Sequence, residues 1–137
     1  MTNQENSLHI CLPTEDRGRA MNFYAEAFGL EPKGGPSDDG IPEPLQFDLG
    51  PGVRLMLIPT GGFGWVLGGR TVANSDVSEC IMSLNLENKK EVDELVERAT
   101  ASGGGVVAAP AQQDWGYRAL VSDPDGHAWQ FVAVAEA

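Results

Sequence analysis

Residues 8–12 alternate in character: Leu8, Ile10 and Leu12 fall on one side of an extended chain, His9 and Cys11 on the other, and Pro13 follows where a strand gives way to a turn. The period then changes. Ala20, Phe23, Tyr24, Ala27 and Phe28 recur at helical spacing after Asp16, an N-cap type, and before Gly29, which suits a left-handed stop. Strands are predicted near residues 31–35, 45–49 and 53–58, so the first half reads β-α-β-β-β. The second half repeats this order. A strand over 80–86 leads to Asn88 with Glu91 three positions on, the spacing of a capping box. Val92, Leu95, Val96 and Ala99 then share one helical face, and Gly103 closes it. Strands near 105–109, 115–122 and 127–134 complete the half, the last two joined by Asp123-Pro124-Asp125-Gly126, a type I turn with a bulge glycine. Asn88 follows Asp16 by 72 positions and Gly103 follows Gly29 by 74, which marks an internal duplication.

The expected architecture is therefore α+β: two βαβββ modules, 7–59 and 79–135, in one domain spanning 1–137. The glycine-rich segment over 60–78 is expected to be a linker or a pocket lid. It lacks the GK[ST] ending of a phosphate-binding loop.

Alternation sorts the strands into two faces. Leu8, Ile10 and Leu12, Leu55 and Leu57, Met82, Leu84 and Leu86, and Trp129 and Phe131 form the greasy sides that pack on helices. The opposite sides carry His9 and Cys11, Arg54 and Met56, Ile81, Ser83 and Asn85, and Gln130, with Arg118 and Leu120 joining Gln130 by pairing across the bulged turn. If the mixed sheet curls with these sides inward they line a cleft, the usual form of a small-molecule site. The alternative is a mixed face open to solvent or buried in a dimer interface.

Charge narrows the partners. Nine Lys and Arg against twenty Asp and Glu give a net charge of −11, which argues against nucleic acid and against a basic membrane-docking patch. No apolar run reaches the length of a membrane span and the first ten residues lack a signal peptide's pattern, so a cytoplasmic location is expected. Cys11 and Cys80 have no CxxC spacing, which sets aside a thiolate zinc site and predicts no structural disulfide.

The strand bearing His9 with Asp16 seven residues on, the helix AMNFYAEAFGLEP and the C-terminal DPDGHAWQF together resemble the vicinal oxygen chelate superfamily over residues 8–134. That superfamily includes glyoxalase I, fosfomycin-resistance enzymes, extradiol dioxygenases and bleomycin-resistance proteins. The resemblance implies two βαβββ modules curled around a cleft, often in a homodimer, with each module offering one metal ligand from its first strand and one from its last. Those positions fall on His9 and Met56, and on Ile81 and Gln130. A thioether, an alkyl group and a neutral amide do not replace the nitrogen and oxygen donors that a hard or borderline divalent ion requires. No metal or other cofactor is therefore expected, with a divalent metal as the alternative.

Gln130 is then the remnant of a ligand position, able to donate to and accept from a bound molecule. Arg54 and Arg118 together suit a carboxylate, unless they pair with Asp48 or a neighbouring acid. His9 is a candidate base or hydrogen-bonder, or else a core histidine. Trp65, Trp115 and Tyr117 are candidate aromatic walls, with Trp65 or Trp115 as a lid. Trp129 is assigned to the core, and His127 to an exposed turn. The expected function is binding of a small organic molecule in a metal-free cleft for sequestration or resistance. The alternatives are a metal-dependent glyoxalase-like lyase or transferase, and a structural or regulatory dimer with no ligand.

Overall fold

Asp16 begins the first helix in the manner its side chain predicts. Its backbone is extended and its carboxylate accepts from Arg19 N at 3.0 Å, satisfying one of the donors that a first turn leaves unpaired. The computed structural model describes residues 6–134, so expectations for residues 1–5 and 135–137, including the leader reading and the ends of the domain and second module, lie outside the described residues. The chain divides into two units, one comprising the segment up to Ala25 with Gly29–Val72, the other Glu26–Phe28 with the chain from Ala73 onward.

In the first unit β1 (Leu8–Thr14) runs parallel to β3 (Val53–Pro59), and β2 (Leu45–Gly50) lies antiparallel on the other side of β3. Helix α1 (Arg17–Phe28) buries Ala20, Phe23 and Tyr24, and the sheet buries Leu45, Phe47, Leu55 and Leu57. Tyr24 meets Phe23 edge-on, with ring centroids 5.0 Å apart, and Phe47 at 5.7 Å. Each such large apolar side chain contributes about 1.5–3 kcal/mol by leaving water.

The strand expected over 31–35 does not form. Pro32 and Pro36 lack N–H groups, Gly34 sits at φ 83°, and the backbone meets β2 where Lys33 N donates to Gln46 O at 2.9 Å. Arg17 holds the rest of this connection. Its Nη1 pairs with Asp39 Oδ2 at 2.9 Å and its Nε lies 3.2 Å from Glu43 Oε2. Its Nη2 donates to the carbonyls of Ile41 and Pro42.

The segment expected to be linker or lid begins with a short helix, α2 (Thr60–Val66), anchored where Thr60 Oγ1 donates to Thr14 O at 3.2 Å. None of its residues is buried.

The second unit contains the complete module: β4 (Met82–Leu86), α3 (Lys89–Ala101), β5 (Gly105–Gln113), β6 (Gly116–Ser122) and β7 (Ala128–Val134), in sheet order β4-β7-β6-β5. As in the first unit, its first strand pairs parallel with its last and the others are antiparallel. The duplication is thus a shared topology with one strand missing from the first copy. Asn88 caps α3 by accepting from Glu91 N at 2.9 Å, and the Glu91 carboxylate turns back to Glu87 N at 2.8 Å. At the other end Gly103 is left-handed and Gly104 N donates to Ala99 O at 2.8 Å, the bond of a Schellman stop.

Val92, Leu95, Val96 and Ala99 on α3 and Ala119, Val121, Trp129 and Phe131 on the sheet are buried. Phe28, expected to share a face with the rest of α1, packs with this unit instead. Its ring lies 4.8 Å from Trp129 and 5.9 Å from Phe131, and Ala27 O accepts from Arg98 Nε at 3.0 Å. No helix among the described residues is long and apolar enough to cross a membrane.

Candidate functional site

Because Trp129 and Phe131 turn into the core, strand alternation sends Gln130 to the opposite side of β7. The register then sets three residues abreast on that side, with Ser83 on β4 and Leu120 on β6 each opposite Gln130. Gln130 Nε2 donates to Ser83 Oγ at 3.1 Å, and Gln130 Oε1 accepts from Arg118 Nε at 3.2 Å. This network orients the amide. A flipped amide would point an NH2 group at the guanidinium, donor against donor. Arg118 and Gln130 are half-buried, Ser83 is exposed, and among the described residues Arg118 makes no ion pair with a carboxylate.

The mixed face of the first unit is built differently. His9, Arg54 and Asp48 lie abreast across β1, β3 and β2, and Cys11, Met56 and Gln46 form the next row. Arg54 Nε pairs with Asp48 Oδ1 at 3.0 Å, and Lys33 Nζ with Asp48 Oδ2 at 2.9 Å. Of the two roles open to Arg54, pairing with Asp48 is the one observed. His9 is exposed, its Nε2 3.4 Å from Ser7 Oγ, so it is not a core histidine. Gln46 and Asp48 join this face, Gln46 without any expected role and Asp48 as the expected partner of the arginines. The buried Leu45 and Phe47 on either side of Gln46 were the available signal.

The hydrogen bonds from Lys33 and then Arg54 hold the Asp48 carboxyl below the usual aspartate range. A depressed folded value means that its contribution is present above the ordinary aspartate pKa and is lost as pH falls through the folded one. Asp48→Asn should therefore flatten the acid limb of the stability profile below about pH 4. Urea midpoints measured across that limb would refute this if wild type and variant fell in parallel.

Ile81 precedes β4 and is 51% exposed; Asn85 and Ser83 share its side of the strand. Leu120 is half-buried opposite Gln130. Trp65 lies on α2 in the first unit at 84% exposure, and Trp115 in the turn between β5 and β6 of the second at 51%. Tyr117, expected as a pocket wall, is tied to α3. Its hydroxyl donates to Asp93 Oδ1 at 2.7 Å and Lys89 Nζ lies 5.4 Å from its ring centroid. It shares the helix side of β6 with buried Ala119 and Val121, which is why a wall role fails.

His127 is half-buried rather than exposed, and its ring nitrogen groups with carboxylate oxygens of Asp123 and Asp125, all within 4.8 Å. Asp123, buried, uses Oδ1 to accept from Asp125 N at 3.0 Å and His127 N at 2.8 Å, so this carboxylate builds the turn.

A family profile described as the glyoxalase/bleomycin resistance protein/dioxygenase superfamily matches residues 7–131. Among solved structures, the hypothetical protein SA1046 from S. aureus is 25% identical with a TM-score of 0.77, covering 97% of this chain and 95% of that one. A glyoxalase-related enzyme from Fulvimarina pelagi is 24% identical with a TM-score of 0.79, covering 95% and 88%. An antibiotic binding protein from Streptomyces sp. CB03234 is 21% identical with a TM-score of 0.59, covering 98% and 100%. No curated protein matches the chain.

Proposed function

We propose, from the premise that the chain belongs to the glyoxalase/bleomycin resistance protein/dioxygenase superfamily, that it binds a small organic molecule without a resident metal ion. The observation that carries this reading is the state of Gln130. Its carbonyl oxygen is the one oxygen donor offered by the four positions where metal-using relatives place ligands, and it is engaged by a guanidinium. A divalent ion drawn to that oxygen would sit beside a fixed positive charge. Met56 and Ile81 supply a soft thioether and no donor, leaving exposed His9 as the sole strong ligand type. Neither pair of positions, His9 with Met56 in the first unit or Ile81 with Gln130 in the second, fits a resident dication. The second sheet offers instead a face where half-buried Leu120 lies beside the oriented Ser83, Arg118 and Gln130, apolar and polar groups together as small-molecule sites require. The antibiotic binding protein among the similar structures has the same fold.

Thermal unfolding with and without nickel, zinc or manganese tests the reading. A metal held by the native state at a hundredfold excess over its dissociation constant would add about 2.7 kcal/mol, a rise of several degrees. The midpoint is expected to stay within about one degree. A rise of several degrees that disappears in His9→Ala, or chelator-sensitive turnover of a methylglyoxal–glutathione adduct, would reject it.

A further inference from the structure

Resting on that reading, we infer that the ligand is an organic molecule bearing a single anionic group, its carboxylate or phosphonate oxygens held by the Arg118–Gln130–Ser83 network. The argument is an imbalance of donors. Arg118 brings five N–H groups, Gln130 two and Ser83 one O–H. Within the network only Gln130 Oε1 and Ser83 Oγ accept, one bond each, from Arg118 Nε and Gln130 Nε2. The guanidinium's outer nitrogens, the second amide hydrogen and the serine hydroxyl are left over on one face of one sheet.

Arg118 and Arg54 make an internal control for this. Each occupies the mixed face of its own sheet, yet Arg54 has a carboxylate at 3.0 Å, Asp48, which it shares with Lys33, whereas Arg118 is fastened by a neutral amide that orients it and brings no negative charge. A guanidinium gripped at Nε presents its two Nη groups as a planar fork, the geometry that receives a carboxylate or phosphonate in bidentate fashion. The net charge of −11 opposes a polyanion, so one anionic group on an organic body is the matching ligand.

The test is ligand-observed NMR titration with benzoate and phenylphosphonate against benzamide and benzylamine, on wild type, Arg118→Met and Gln130→Glu. Arg118→Met removes the charge. Gln130→Glu keeps the Arg118 contact but neutralises it, which guards against a fold defect in the first variant. Benzoate and phenylphosphonate should bind at least tenfold more tightly than the neutral and cationic probes and lose at least tenfold in both variants. Equal binding of benzamide or benzylamine, or benzoate binding that survives both substitutions, overturns the assignment of an anionic ligand and leaves the small-molecule reading standing. Failure of all four probes to bind likewise overturns the assignment of an anionic ligand.

Discussion

Trp129→Ala should lower the unfolding free energy by about 3–5 kcal/mol, the range for deleting a buried aromatic. Trp129 is 1% exposed on β7, a strand paired on both sides by β4 and β6, and its ring meets Phe28 edge-on at 4.8 Å. Removing it takes away an aromatic contact and leaves a void that flanking strands, pinned by their ladders, cannot close. Set against a typical total of roughly 5–15 kcal/mol, the loss moves the urea midpoint by a large fraction of its value. Trp65→Ala is the matched comparison. At 84% exposure it should change stability by no more than about 0.5 kcal/mol. Two variants with similar midpoints would show that Trp129 does not hold the second core.

Gly126→Ala should cost about 2–4 kcal/mol, combining left-handed strain with a steric clash. Gly126 has φ 90°, and a Cβ there would stand 2.0 Å from Ser75 O and 2.8 Å from Ser75 C, backbone atoms that no rotamer change can move aside. Gly103→Ala separates the two contributions. Its φ is 102°, but the nearest atom to an added Cβ is Pro124 Cγ at 3.7 Å, so only the strain of about 1–2 kcal/mol remains. Equal denaturant midpoints for the two variants would refute the Ser75 contact.

The turn that Gly126 closes also sets the register in which Ser122 meets Ala128 and Leu120 meets Gln130. A slip of one residue would carry Gln130 into the core and Trp129 out of it. Gly126→Ala should therefore disturb the Arg118–Gln130 bond as well as stability, which arginine Nε–H NMR resonances would detect.

Much of the fold was legible because it is local. Asp16 and Asn88 cap helices through bonds three residues away, Gly103 stops a helix by its own backbone freedom, and Asp123–Gly126 closes a turn within five residues. The missing strand over 31–35 was legible too, since Pro32, Gly34 and Gly35 within it and Pro36 just after it oppose a ladder. Helix α2 left no signal in the sequence, because three of its seven residues are glycine, which argues against a helix. Arg17's grip on residues 39–43 left no local signal, because its partners lie more than twenty positions away.

The mixed faces divide along the same line. That His9, Cys11, Arg54 and Met56 share a side of one sheet, and Ser83, Arg118 and Gln130 a side of the other, follows from a period of two and needs only the sequence. Which neighbour each polar group takes does not follow. Arg54 and Arg118 are the same residue type on the same kind of strand, yet one faces Asp48 and the other Gln130. Strand register and side-chain reach place those partners, and both are properties of the assembled sheet. Face membership is thus written along the chain, whereas the difference between a guanidinium paired with a carboxylate and one held by a neutral amide arises only when the strands have paired.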